Sequence, residues 1–397
     1  MSQDAGEPLK TRSKVLFLTS AHPGGRGAIG AGEGICESSL RALVASGHEV
    51  HVLSFAASNQ ACNPEVVALC ASYTTLVHSS VQSVLAMVRS LRWGSLFAPW
   101  FFTRVSPRNV GVVRSALVQH GICKVWIDFP SSLGFAPLLD AYDIDYFVHD
   151  VVSQKVGRKW LQRVLKPLVE STEQRLMSFV QRCLVLSEKD AGLLRGLGFG
   201  GEIIVSPPKH IKVGSVPNAV SVSTVVAGFA GGLNLVFFGN MSRPENHWSI
   251  VHFLLLVYPS IRRAHPQTRL WILGLGARRL LKLVARWIGG THVVGAVDDP
   301  TQAFVQATLC IAPLRNGAGV KIKVLQMLEA GAVVIATPIG AEGVAAKPEL
   351  IVVEEHDFAG AVIDFLDSTQ ASTFGALGST QHTEATMQDG PHEKRVL

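Results

Sequence analysis

Short apolar runs alternate along the chain with longer stretches whose apolar positions recur at helical spacing. This is the pattern of strands covered on both faces by helices. Lys14–Ser20 (KVLFLTS) reads as the first buried strand, and the helical pattern of Ile35–Ser46 sets Leu40, Leu43 and Val44 on one side. Gly47 closes that helix and HEVHVLSF follows as the second strand. The result is a βαβ opening, for which a parallel sheet is the natural arrangement. Lys124–Pro130 and Asp145–Val151 are further strands. Gln154–Phe179 is a cation-rich helical stretch that Pro167 kinks or splits. RCLVLSEKDAGLLRGLGF then reads as strand, N-cap Ser187 and helix.

The alternation restarts after a linker-like approach containing Pro207, Pro208 and Gly214–Asn218. LNLVFFGN is a strand, followed by a loop with Asn240, Ser242, Arg243 and Asn246 and by a helix over His247–Arg263. TRLWILGLG, a basic helix with Arg278, Arg279, Lys282 and Arg286, THVVGAVDD and a helix over 300–307 complete the series. The Asp298–Asp299 turn at the end of THVVGAVDD reads as a polar cap. A helix at Phe358–Leu366 is short, and the Ser, Thr, Gln and Gly composition from Ser368 predicts disorder. The expected organisation is a flexible leader over 1–13, a first domain over 14–215, a linker over 216–231, a second domain over 232–367 and a tail over 368–397. A chain of 397 residues exceeds one average core, which agrees with two domains.

One stretch stands out, Asn316–Gly343 (NGAGVKIKVLQMLEAGAVVIATPIGAEG). A turn of Gly317, Ala318 and Gly319 precedes Lys321 and Lys323, which open a helix with Val324, Leu325 and Leu328 on its apolar face. Gly331 stops that helix and AVVIATP is the next buried strand. Free backbone N–H groups and the helix dipole both favour an anion at such a turn. The bland alternative is an ordinary βαβ connection with surface lysines.

Net charge of +6 favours anionic partners. The six cysteines form no CxxC pair and have no neighbouring histidine at zinc-finger spacing, so buried thiols in a reducing compartment are expected, with no structural metal. No apolar run is long enough to span a bilayer, and the polar N-terminus is unlike a secretory signal. A cytoplasmic protein, or one peripheral on the inner face of the membrane, is expected. Between Glu65 and Asp128 there is no acid, while Arg89, Arg92, Arg104, Arg108 and Arg114 lie among Trp93, Phe97, Trp100, Phe101 and Phe102. Two readings stand, an interfacial segment on anionic lipid or a core helix pair with an arginine-lined outer face. No nucleic-acid module is present, and nucleic acid is not an expected partner.

The loop after the first strand holds a literal GxGxxG at Gly25, Gly27 and Gly30. Ser20–Gly24 separate it from the strand, and the second strand ends without an acid for a ribose, so a dinucleotide cofactor is disfavoured. The loop reads instead as a ligand contact at the sheet edge, with His22 and Glu33 as further candidates. Asp128 and His149 fall at strand carboxyl ends, where ligands bind in open α/β sheets, and Asp150 adjoins them. His149 is the best titrating candidate. The alternative for each is a cap or turn residue.

Two tandem domains of this kind resemble the GT-B glycosyltransferases, an α/β class in which two Rossmann-like domains face each other across a cleft. FFGNMSRPENHWSIVHFLLLVYPSI, LWILGLG, HVVGAVDD and PLRNGAGVKIKVLQMLEAGAVVIATPIGAEG, in that order, resemble the retaining glycosyltransferase family 4 (group 1). The resemblance implies transfer of a sugar, with retention, from a nucleotide-sugar donor held mainly by the second domain to a glycan or lipid-linked acceptor. It implies no cofactor and no required metal. It puts Lys323 at the phosphate-binding lysine, with Lys321 beside it, Arg243 as a second cation, and Gly317 and Gly319 allowing close backbone approach. Asp128 and His149 fall near the transferred sugar. The sequence departs from the family where a pair of glutamates is usual, carrying Ala318 and Gln326 instead, although Gln326 can still bond ribose hydroxyls. The family's closing helix, which crosses back onto the first domain, is not evident. A soluble small-molecule acceptor and a catalytically inactive nucleotide- or glycan-binding protein therefore stand as alternatives.

Overall fold

The structure, a computed structural model, describes residues 13–24, 31–55, 62–76, 98–157, 160–208 and 219–385, with isolated positions between 81 and 88. It has two parallel sheets with helices on their faces. The first contains β1 (Lys14–Thr19), β2 (Glu49–Ser54), β3 (Ser72–Thr75), β4 (Lys124–Asp128), β5 (Asp143–Val148), β6 (Arg182–Val185) and β7 (Glu202–Val205), in the order β3-β2-β1-β4-β5-β6-β7. Its helices are α1 (Ala31–Ala45), α2 (Pro64–Leu69), α3 (Pro107–His120), α4 (Val152–Gly157), α5 (Lys166–Met177) and α6 (Glu188–Gly196). The second contains β8 (Leu233–Phe238), β9 (Thr268–Leu273), β10 (Thr291–Gly295), β11 (Leu309–Ala312), β12 (Val334–Ala336) and β13 (Leu350–Val352), in the order β10-β9-β8-β11-β12-β13. Around it lie α7 (Val222–Ala227), α8 (Pro244–His252), α9 (Tyr258–Ala264), α10 (Arg279–Ile288), α11 (Thr301–Gln306), α12 (Ile322–Glu329) and α13 (Phe358–Ala385).

The unbroken apolar runs follow from burial on both faces. In β1, Leu16 and Leu18 pack into one core with Val125, Ile127 and Tyr146, while Val15 and Phe17 pack into another with Val50, Val52 and Trp126. The second sheet repeats this, with Leu235 and Phe237 on one side and Val236 on the other. Period-two alternation thus sorts residues between two covered faces and leaves no polar side to read.

Prolines set the helix breaks. The expected helix over 154–179 is divided into α4, a 3-10 segment Trp160–Leu165 and α5, with Pro167 in the first turn of α5, where its missing N–H costs nothing. The expected helix over 247–263 is interrupted by a π turn, Phe253–Val257, just before Pro259. Proline cannot donate to the preceding turn, and the widened turn buries Phe253, Leu254 and Val257.

Several stretches differ from expectation. Within the stretch read as linker, α7 packs on α11, and Val225 and Phe229 sit in a second-domain core with Trp271. Two of the aromatics in the acid-poor interval, Phe101 and Phe102, are buried in the first core, and Arg108 and Arg114 are exposed on α3. Arg89, Arg92, Trp93 and Phe97 lie outside the described residues. The last helix runs past Leu366 to Ala385. Its Phe358, Val362 and Leu366, at i, i+4 and i+8, are buried in the second core against α9 and β12.

Candidate active site

The donor side is built where β8 ends. Gly239 follows the strand, and the loop to α8 is folded on itself, Ser242 N donating to Asn240 Oδ1 at 2.9 Å and Asn246 Nδ2 to Asn240 O at 2.8 Å. The α12 lysine Lys323 reaches into this loop, its Nζ donating to Asn246 Oδ1 at 2.8 Å and lying 4.6 Å from the centre of the Phe237 ring. Gly239 lets the two side chains sit close to the backbone, since a Cβ would stand 3.2 Å from Lys323 Nζ and 3.1 Å from Asn246 Nδ2. Burial, with the like charges of Lys321 and Arg243 and against the pull of Glu245, lowers the Lys323 ammonium to about 7. Arg243 is exposed at the N-cap of α8. Lys323 and Arg243 thus stand at a glycine-walled loop, which suits a multiply charged anion.

Lys321 is held differently. It is 7% exposed and donates to the carbonyls of Ala318 at 3.1 Å and Gly319 at 2.6 Å, and to Glu342 Oε2 at 3.3 Å. It therefore fixes the turn of Gly317 (φ 131°) and Gly319 (φ 72°), both in the left-handed half of backbone space. Glu342 is also paired with Lys189 at the start of α6, a first-domain residue. Val320, Ile322 and Leu325 pack against the first-domain cluster around Phe147 and Leu186. A Cβ on Gly319 would collide with Asp150 Oδ1, at 2.0 Å. The loop before α12 is thus pressed onto the strand ends of the first domain. Gln326 lies half-buried on α12, and Glu329 is exposed.

Across that contact, His149 Nε2 meets Asp128 Oδ1 at 2.5 Å, and Trp126 Nε1 donates to Asp128 Oδ2 at 3.4 Å. Asp128 is fully buried and bonds one imidazole nitrogen, Nε2, and among the described residues no bond to Nδ1 is seen. Phe129 stacks on the imidazole, with ring centres 4.2 Å apart and planes 4° from parallel. Phe129 itself has φ 68°, a strained value for a bulky residue, and the strain sits beside a polar pair at a strand end. Gly32 in the first turn of α1 lets that helix approach, since a Cβ there would be 3.0 Å from Phe129 and 3.8 Å from His149 Nδ1.

The structure therefore gathers Gly317, Gly319 and Lys321 with Asp150 next to His149, and joins Arg243 and Lys323 in the second domain. Gly25, Gly27 and Gly30 lie outside the described residues. His22 is buried and bonded to the Tyr73 hydroxyl at 2.8 Å and to Ser54 Oγ at 3.2 Å, a satisfied interior residue. Asn246, Glu342, Phe129 and Gly32 escaped the sequence reading. Asn246 was visible only as a loop residue, and Glu342 only as part of the AEG turn. A cavity of about 330 Å³ opens elsewhere, beside His51, Arg108 and His120, and none of the candidate residues lines it. Among the described residues no group of three His, Cys, Asp or Glu side chains is placed to hold a metal, and no helix is long and apolar enough to cross a membrane.

Two parallel α/β units meeting at their strand ends are the GT-B glycosyltransferase architecture, and solved structures of that class match along the whole fold. Sucrose-phosphate synthase from Thermosynechococcus elongatus superposes with a TM-score of 0.65 at 16% identity, covering 91% of this chain and 90% of that one. WaaG, a glycosyltransferase involved in lipopolysaccharide biosynthesis, gives 0.60 at 16% identity, covering 94% and 96%. HepE from Anabaena, in complex with UDP and glucose, gives 0.60 at 13% identity, covering 90% and 91%. At the level of family, residues 232–368 match the model Glycosyl transferases group 1, so the likeness to that family lies in the second domain. An uncharacterized 44.6 kDa protein in the cps region of Klebsiella pneumoniae is 29% identical over 119 residues, which cover 28% of this chain and 30% of that protein. The matched segment thus spans less than a third of that relative.

Proposed function

We propose that this protein transfers a sugar from a nucleotide-sugar donor to a lipid-linked or polysaccharide acceptor, with retention at the anomeric carbon. The observation that carries the reading is Lys323. It is a lysine lowered to about 7, set on Asn246 beside Arg243, at the end of β8 in a group 1 domain. An anion bound there restores its charge. As the donor's glycosidic bond breaks, negative charge grows on the leaving diphosphate, and cations already in place lower that barrier. Gly239, Gly317 and Gly319 give the diphosphate close access to backbone. Gln326 takes the ribose.

Asp128, His149 and Asp150 belong to the other side of the cleft. The Asp128 carboxylate fixes the imidazole, Phe129 holds its plane, and His149 Nδ1 orients the transferred sugar or its acceptor. In this reading no protein nucleophile takes part, because the leaving phosphate itself accepts the acceptor's proton on the retained face. HepE is described with UDP and glucose bound, which supports a nucleotide-sugar donor. The Klebsiella relative in a cps region supports polysaccharide assembly. The protein then works in the cytoplasm, on the inner face of the membrane. The test is nucleoside diphosphate release across UDP-, GDP- and dTDP-sugars with membrane extract as acceptor. Release that needs Lys323 supports transfer. Nucleotide binding without release, whatever the donor and acceptor, overturns it in favour of a binding protein.

A further inference from the structure

From Glu245 to Asp298 the chain contains no acidic residue between those two, while Arg262, Arg263 and Arg269 are joined by the cations of α10. On α10, Arg279, Lys282 and Arg286 are exposed and fall at i, i+3 and i+7. Leu280, Leu283 and Trp287 have the same spacing one residue later and are 43%, 61% and 77% exposed. Two parallel stripes result, one cationic and one apolar, side by side on the outer face of the helix. Leu281 and Ala285 point the other way and anchor α10 in the core. The neighbouring π turn adds Leu256, 67% exposed, and packs beside α10. Exposed leucines and a tryptophan in such a cluster have no role in the second core and are costly in water.

We propose that this face of the second domain is a membrane-docking surface, with α10 lying in the headgroup layer of an anionic bilayer. Leucines and tryptophan suit the boundary between headgroups and acyl chains, and a flanking row of Arg and Lys suits acidic phosphates. Charge selects this occupant over a second copy of the chain. A two-fold contact through α10 would set the same cations against each other with no acid on the helix itself to neutralise them. The placement also has a consequence. Arg278 at the start of α10 donates to Ser242 O at 3.2 Å, in the loop that carries Arg243, so docking brings the mouth of the donor loop to the lipid surface. The proposal stands without the transfer reading, because lipid binding is measured with no donor present.

The experiment is co-sedimentation of the full chain with vesicles of about 30% phosphatidylglycerol in phosphatidylcholine, and with phosphatidylcholine alone. Wild type is expected to bind only the anionic vesicles and to be released by high salt. Lys282→Gln with Arg286→Gln should weaken binding roughly 30-fold. Leu283→Ser with Trp287→Ser should weaken it roughly tenfold or more. All four positions are exposed, so the unfolding midpoint should stay within a degree or so of wild type. Independently, brominated lipid should quench wild-type fluorescence, and Trp287→Phe should reduce that quenching. The proposal is overturned if anionic vesicles are not bound, or if both double variants bind as wild type does. It is equally overturned if light scattering shows a dimer that Leu283→Ser with Trp287→Ser dissociates.

Discussion

Lys323 gives the sharpest quantitative expectation. In the free protein its ammonium is lowered to about 7 by burial first and then by Lys321 and Arg243. A bound diphosphate supplies opposite charge and raises it again, so binding takes up a proton whenever the pH exceeds about 7. The sign follows directly. Affinity is fully present below that pH and is lost as pH rises through it. With binding proportional to the protonated fraction, from about 90% at pH 6 to about 3% at pH 8.5, the affinity should fall roughly 30-fold, or about 2 kcal/mol. A nucleotide sugar is the right probe, because its diphosphate has no proton titrating in this range. Calorimetry in two buffers of different ionisation heat reads both the affinity and the proton uptake. Lys323→Met should bind weakly and without pH dependence. Wild-type affinity that is flat from pH 6 to 8.5, or a Lys323→Met protein that still takes up the proton, would refute the reasoning.

Other consequences can be tested alongside. Asp128→Asn and His149→Phe should each lower kcat roughly a hundredfold with little change in the KM for donor, read from initial rates. Glu342→Gln leaves Lys321 buried without its carboxylate and removes the tie to Lys189, so about 3 kcal/mol of stability should be lost in urea unfolding. Gly319→Ala forces a side chain into a left-handed position and into the Asp150 carboxylate, and should weaken both stability and donor binding. Asp150→Ala in the same chain should recover part of the loss, a non-additivity that a double-mutant cycle measures.

The fold was legible because each central strand is buried on both faces, which writes it as an unbroken apolar run. Strands β3, β7 and β13 escaped for the opposite reason. They are edge or near-edge strands of three or four residues, and Ser72–Thr75 is mostly polar. The cation site was half legible. Lys323 follows a glycine turn in one contiguous stretch, whereas its partner Asn246 lies 77 residues away and is brought to it only by the sheet. Glu342 was hidden because its two lysines come from different domains. The strain at Phe129 leaves no mark on a sequence, since nothing in the residue type announces a positive φ. Lys321 and Lys323 read as equivalent from spacing alone. Their partners separate them, one tying down the turn through Glu342 and the other standing at the loop beside Asn246.

The central claim is that the Lys323 pocket binds the diphosphate of a sugar donor during transfer. Nucleoside diphosphate release from a panel of nucleotide sugars, compared between wild type and Lys323→Ala with the same acceptor membranes, measures it most directly. Release by wild type from at least one donor, falling roughly a hundredfold or more in the variant, is the predicted result. Equal release by the two proteins, or none by wild type from any donor, would contradict it.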